Sequence, residues 1–186
     1  MSDVTTSITD KVAIFKNGKS KTVGVKIRSG KDAIEGNLQL ELPENWKVNP
    51  KSIPFTLNKK GEEQTAYFEI TPPKTADEIT VKSVTLINGK RFEKEQININ
   101  YEHISKQQVL KPSEAKFIKL DIKTGDEKIA YIMGAGDDVP KSLAQMGYEI
   151  SILKPEEISK EKLIHFDVVI TGVRAYNTIK VLDSKQ

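Results

Sequence analysis

The sequence predicts a mixed fold, an immunoglobulin-like β-sandwich followed by a partial open α/β sheet of flavodoxin or Rossmann type. Three observations predict it. From Val12 to Tyr101 the apolar residues recur with a period of two, as in strands with one face on a core. From Lys128 onward the apolar runs are continuous and alternate with short helical stripes, as in parallel strands covered on both faces. At the junction, Lys128-Ile-Ala-Tyr-Ile-Met-Gly-Ala-Gly136 reads as a buried strand closed by a glycine turn, with a helix start behind it. The expected boundaries are a sandwich over residues 1–104, a linker over 105–114 and a truncated α/β domain over 115–186.

In the first part Val12 and Ile14 alternate with Ala13 and Phe15, and Val23, Val25 and Ile27 with Gly24, Lys26 and Arg28. Leu38, Leu40 and Leu42, then Ala66, Phe68 and Ile70, then Ile97, Ile99 and Tyr101 continue the pattern. Around Ser83 the alternation slips, which predicts a bulge or a change of sheet. Asn17-Gly18, Ser29-Gly30, Lys60-Gly61, Thr71-Pro72-Pro73 and Asn88-Gly89 punctuate the runs, and Asn88-Gly89 predicts a two-residue hairpin. About seven strands over roughly 90 residues suit an immunoglobulin-like sandwich.

Glu102 to Glu114 breaks the alternation and reads as a polar connector. Ile118, Leu120 and Ile122 alternate just before Ile129, which places the strand Phe117–Ile122 with the second domain. Beyond the glycine turn, Asp137 or Asp138 can cap a helix with Pro140 in its first turn and Gly147 at its end. Tyr148–Leu153 is a second strand, Pro155–Leu163 a second helix and Phe166–Thr171 a third strand. Such a pattern is about half of a doubly wound domain, which needs roughly 100 residues or more. It predicts a segment cut within its second domain, with a mobile or rearranged chain after Arg174.

Composition narrows the function classes. The 186 residues carry 29 basic and 26 acidic side chains, a net charge of +3, with the lysines scattered rather than clustered, which speaks against nucleic acid as a partner. The absence of cysteine excludes disulfides, thiolate metal sites and a cysteine nucleophile. No apolar run approaches the ~20 residues of a membrane span, so no membrane partner is expected. Met1 to Asp10 lacks the basic and apolar regions of a signal peptide.

Candidate chemistry is sparse. Gly134-Ala-Gly136 is half of a dinucleotide fingerprint, but position 139 is Val139 rather than glycine, and Asp137-Asp138 would repel a phosphate. Asp137 and Asp138 are candidates for ligand binding, weighed against capping and solvated charge. Arg174, Tyr176 and Asn177 leave the carboxyl end of a parallel strand, where open sheets bind ligands. Trp46 could stack on a sugar, but with no second aromatic paired to it core packing is the simpler account. His103 and His165 lack metal-ligand spacing, and no metal, cofactor or catalytic residue is assigned.

Two resemblances add to this. Gly36-Asn-Leu-Gln-Leu-Glu-Leu-Pro-Glu-Asn-Trp46-Lys-Val-Asn-Pro50, Phe55-Thr-Leu57, Lys60-Gly61-Glu62-Glu63 and Phe68-Glu-Ile-Thr-Pro72-Pro73 resemble the NEW-type sandwich found beside α-galactosidase and other carbohydrate-active domains. Tyr101-Glu-His103-Ile104, Lys128 to Pro140 and Ile170-Thr-Gly-Val-Arg174-Ala-Tyr176-Asn-Thr178 resemble the C-terminal part of long PIG-L/LmbE-type deacetylases of Bacteroidota. In that family a zinc-dependent N-acetyl-sugar deacetylase domain precedes a sandwich and a class I glutamine-amidotransferase-like α/β domain. The zinc string of the His-Pro-Asp-Asp type is absent, as is the amidotransferase cysteine. The resemblance therefore implies a non-catalytic accessory segment of a carbohydrate-active hydrolase. Its partners would be the catalytic domain of the same parent chain and carbohydrate. The parent would be exported to the periplasm or cell surface by a signal outside this segment. Two alternatives remain: a ligand or catalytic site in the α/β domain completed by downstream residues, and an autonomous glycan-binding module centred on Trp46.

Overall fold

The computed structural model describes residues 2–183. The chain divides into two compact units, Met1–Leu120 and Asp121–Gln186. The first runs β1 (Val4–Ile8), β2 (Val12–Lys16), β3 (Lys21–Ser29), β4 (Ile34–Glu41), β5 (Lys47–Asn49), β6 (Ile53–Leu57), β7 (Glu63–Thr71), β8 (Asp77–Ile87), β9 (Lys90–Phe92), β10 (Lys94–Ile99), β11 (Gln107–Pro112) and β12 (Glu114–Leu120). The second runs β13 (Lys128–Ile132), α1 (Val139–Met146), β14 (Glu149–Leu153), α2 (Lys160–Leu163), β15 (Val168–Thr171), α3 (Ala175–Thr178) and α4 (Lys180–Asp183). The chain is β-rich and mixed.

In the first unit two sheets share one core. One has the order β1-β3-β7-β5, and the other β2-β12-β8-β4-β6 with β9 added to β8. The inward residues are largely those that carry the sequence period: Val23, Val25 and Ile27 of β3, Leu38 and Leu40 of β4, Ala66, Phe68 and Ile70 of β7. Each large apolar side chain buried this way contributes about 1.5–3 kcal/mol. In β2 every core-sized residue is apolar, so alternation alone does not choose a face; Ala13 and Phe15 are buried while Val12 is exposed.

The hairpin at Asn88-Gly89 forms as expected. Both residues have positive φ, 48° and 75°, and Ile87 pairs with Lys90 across the turn. The slip at Ser83 also has a cause. Up to Lys82 one edge of β8 pairs with β12, and from Thr85 that edge pairs with β9. At the change of partner the Ser83 hydroxyl lies 2.7 Å from that of Thr6 and 2.6 Å from that of Ser113, so three buried hydroxyls satisfy one another.

The expected linker and domain start are corrected here. Residues 107–112 form β11, which pairs with β10 as a separate two-stranded ribbon. The strand given to the second domain is β12, parallel to β2 and antiparallel to β8 inside the sandwich. Its inward face is Ala115, Phe117 and Lys119, with Lys119 only 1% exposed. A buried lysine hides that face from a hydropathy reading, and Ile118, Leu120 and Ile122 suggest the opposite one.

The β10–β11 ribbon is fastened to β1 through Glu95, which is 3% exposed. Its carboxylate accepts from the Ser7 hydroxyl at 3.1 Å and the Lys111 ammonium at 3.0 Å, and it pairs with Lys11. Burial pushes its pKa up, but the hydrogen bonds from Lys11 and Lys111 outweigh it and hold the carboxyl below the usual range. The lysines are half exposed and can be solvated again, so Glu95→Ala is expected to cost about 2 kcal/mol, the scale of lost charged hydrogen bonds. Urea unfolding measures it, and a cost under about 0.5 kcal/mol, the range of surface substitutions, would show that the ribbon is held elsewhere.

In the second unit β14, β13 and β15 form a parallel sheet in that order. The central strand is buried from Ile129 to Ile132, as its continuous apolar run requires. Helix α1 ends at Gly147, φ +103°, whose N–H donates to the carbonyls of Leu143 and Ala144 at 3.1 and 3.0 Å. The single helix expected over 155–163 is split. A 3-10 turn covers Pro155–Glu157, the chain then extends at Ile158 to bury that side chain, and α2 restarts behind Ser159. After Arg174, where a rearranged chain is expected, α3 and α4 place Ala175, Ile179 and Leu182 in a core with Ile132, Leu153 and Ile158. The third strand differs from the covered strand expected: Val168 and Val169 are 41% and 43% exposed.

Candidate functional site

The order β14-β13-β15 means that the chain leaves the central strand first to one side and later to the other. The loops that leave the carboxyl ends of β13 and β15 therefore lie side by side, at the switch point where open sheets place ligands. They carry the sequence candidates Asp137, Asp138 and Arg174, and the second leads into α3 with Tyr176 and Asn177.

Glycines bring the two loops together. A Cβ at Gly134 would lie 2.0 Å from the Val173 carbonyl oxygen, and one at Gly172 would lie 2.8 Å from Asp137 Oδ2. The Ala135 N–H donates to the Val173 carbonyl at 2.8 Å. Asp137 spans the joint with both oxygens: Oδ1 accepts from the Tyr131 hydroxyl at 2.7 Å and the Val139 N–H at 3.1 Å, and Oδ2 from the Val173 N–H at 3.2 Å. Tyr131 is the residue that the sequence reading did not single out. The available signal was a tyrosine inside a fully buried strand, whose hydroxyl needs a partner.

The electrostatics fix both protons. The Tyr131 hydrogen bond, followed by the Val173 and Val139 amides, holds the Asp137 carboxyl below its ordinary value against some desolvation. Burial, reinforced by Asp137, pushes the Tyr131 hydroxyl up to about 12. At neutral pH the pair is a neutral phenol donating to a carboxylate, suited to holding loops rather than to moving protons. A depressed folded pKa gives stability that is present above the unfolded value near 3.8 and lost as pH falls through the folded one. In an NMR titration the Val139 and Val173 amide shifts are expected to move with a midpoint below 3.8, and the step to vanish in Asp137→Asn. A midpoint at or above 3.8 would show that the hydrogen bonds do not favour the carboxylate.

The other candidates are placed less purposefully. Asp138 stands at the N-cap of α1 without a side-chain cap bond, and its carbonyl accepts from Ser142. Arg174 has left-handed backbone, φ +57°, and its side chain is exposed. Tyr176 and Asn177 are exposed on α3, with Tyr176 at the rim of an apolar cleft of about 660 Å³ lined by Ile132, Ile158, Leu163 and Val169. Trp46 lies in the first unit, 4% exposed, with its indole N–H donated to Asp77 Oδ2 at 2.9 Å. That burial corrects its candidacy as a sugar platform, since neither ring face is open. His103 stacks on Tyr101 with centroids 6.0 Å apart, and His165 is exposed. Among the described residues no three His, Cys, Asp or Glu side chains cluster as metal ligands, and no helix is long and apolar enough to cross a membrane.

No protein-family model and no curated protein matches the chain. Solved structures resemble it weakly. A family 123 glycoside hydrolase from Clostridium perfringens, studied for glycolipid glycan hydrolysis, aligns with TM-score 0.37 and 12% identity, over 87% of this chain and 33% of that one. The class 5 fimbriae chaperone CfaA aligns with TM-score 0.37 and 13% identity, over 65% of this chain and 58% of that one. A protein of unknown function from Porphyromonas gingivalis aligns with TM-score 0.36 and 7% identity, over 73% and 61%. The chain thus spans a third of the first of these and about three-fifths of the other two.

Proposed function

We propose that this chain is a non-catalytic accessory segment of a larger carbohydrate-active hydrolase, a zinc-dependent N-acetyl-sugar deacetylase, and that it presents substrate or docks against the catalytic domain. In this reading the first unit is an immunoglobulin-like sandwich of the NEW type. The second is part of a flavodoxin-like, amidotransferase-type α/β domain, and the parent protein is exported. One observation carries it: both family-like strings, Met133–Asp137 and Thr171–Thr178, meet at a single joint whose carboxylate is used to hold that joint together. The chain has no cysteine to serve as an amidotransferase nucleophile.

The test is acetate release from N-acetylglucosamine oligomers with zinc present, using the segment alone and then the segment mixed with the deacetylase domain of its parent chain. No release by the segment, and a stable complex with that domain in analytical ultracentrifugation, is the expected result. Release by the segment alone would overturn the accessory role.

A further inference from the structure

We propose that the cleft between the outer face of the β1-β3-β7 sheet and strand β10 binds an acidic oligosaccharide, a glycan bearing uronate or sulfate groups. In β1 the alternation puts Val4, Thr6 and Ile8 on one face and Thr5 and Ser7 on the other, with Thr5 itself buried and Ser7 half-buried. Across the sheet Thr5 pairs with Arg28 and Ser7 with Lys26, and Arg28 in turn with Glu63. Gln96 and Asn98 of β10 form the facing wall, held there by Glu95. The space is about 450 Å³, within the roughly 300–1,000 Å³ typical of ligand clefts.

Its lining has polar capacity left over. The Thr5 hydroxyl has no partner among the described residues. Gln96 donates its amide to Asn98 Oδ1 at 2.7 Å, which leaves the Gln96 carbonyl and the Asn98 amide for a ligand. Lys26 and Arg28 share the one carboxylate of Glu63, Lys26 at 3.2 Å and Arg28 through Nε at 3.8 Å. Its terminal nitrogens can meet a carboxylate or sulfate in a bidentate pair. Lys11, Lys26 and Arg28 line the cleft with Glu63; even with Lys11 paired to Glu95, the three cations outnumber the two carboxylates, so an anion is favoured.

The aromatic element stands at the Thr9 end. Tyr67 is 63% exposed and pairs across the strands with Gly24. A Cβ at Gly24 would lie 3.4 Å from Tyr67 Cε1 and 3.2 Å from Thr9 Oγ1, so ring and hydroxyl converge where a side chain is missing. The Thr9 hydroxyl donates to the Gly24 carbonyl at 3.1 Å, so what this end offers a ligand is the open ring, which suits the C–H face of a sugar. A protein partner would want an apolar patch, and a nucleic acid a longer basic stripe.

Calorimetry on the full chain tests this with four probes: a glucuronate–N-acetylglucosamine tetrasaccharide, a sulfated glucuronate–N-acetylgalactosamine tetrasaccharide, a neutral N-acetylglucosamine tetramer and a short oligothymidylate. The acidic sugars are expected to bind at least about tenfold more tightly than the neutral one, with an affinity that falls as salt rises. Tyr67→Ala and Arg28→Gln should each weaken them about tenfold, as the loss of one stacking or charged contact implies. Tyr67→Phe should restore binding, and Tyr101→Ala, outside the cleft, should leave it unchanged. No binding by any sugar, equal binding of the neutral tetramer, oligothymidylate binding as tightly, or indifference to Tyr67→Ala would each overturn the proposal. Acetate release bears on the accessory role and calorimetry on the cleft, so either can fail alone.

Discussion

Replacing Trp46 with alanine is expected to destabilise the first unit by about 3–5 kcal/mol, the range for emptying a buried tryptophan site. The indole stands edge-on to Phe15, with centroids 5.0 Å apart at 82°, and lies 6.1 Å from Phe117, while those two phenylalanines are 5.4 Å apart. Phe15 belongs to β2 and Phe117 to β12, so Trp46 closes the end of the sheet where the parallel pair of strands joins. Its N–H and the Asn45 side-chain amide both donate to Asp77 Oδ2 at 2.9 Å. Those two donors hold the Asp77 carboxyl below its ordinary value. Trp46→Phe keeps an aromatic body and loses the donor, so about 1 kcal/mol is expected there, because Asn45 still holds the carboxylate. Urea unfolding followed by far-UV circular dichroism separates the two variants. A cost below about 1 kcal/mol for the alanine variant would mean that the ring is not a core residue, and would return it to the list of sugar platforms.

The sequence makes the sandwich legible where a strand keeps one face apolar, as β3, β4 and β7 do, and where a turn needs positive φ, as Asn88-Gly89 does. It fails where a polar residue occupies the inward face. Thr6 hides β1 because its hydroxyl is satisfied by Ser83, and Lys119 hides the register of β12. Both errors have one root: period-two reading takes polarity as exposure, and a buried group with a partner breaks that equation. The candidate site shows the same limit from another side. Asp137 stands out in the sequence, but its acceptor positions are filled by Val173, 36 residues further on, and by Tyr131 within the preceding strand. No local pattern states that the two loops meet. The outer cleft was hidden because Thr5, Arg28, Glu63 and Gln96 come from four separate strands and form no motif in one stretch of chain.

Gly134→Ala is expected to open the second unit at its loop joint, at a cost at or above the ~1–3 kcal/mol of ordinary overpacking. The added Cβ would lie 2.0 Å from the Val173 carbonyl oxygen and 2.7 Å from the Ala175 nitrogen, both backbone atoms with no rotamer to yield. Moving that backbone breaks the Ala135 to Val173 hydrogen bond and draws the Val173 N–H away from Asp137. Gly136 in the same turn separates this effect from backbone strain. Its φ is +100° and nothing lies within 4 Å of its would-be Cβ, so Gly136→Ala should cost only about 1 kcal/mol, the left-handed penalty. Urea titrations of the full chain, followed by the NMR signals of β13 and β15, rank the two variants against the signals of β3 and β7 as an internal reference. If Gly136→Ala proved the more damaging, conformation rather than close approach would govern this turn. If Gly134→Ala left the Val173 amide shift in place, the two loops would not be joined as the hydrogen bonds require. The glycine–aspartate turn is therefore held by steric need and acceptor supply together: glycine lets the second loop approach, and Asp137 accepts from its Val173 N–H.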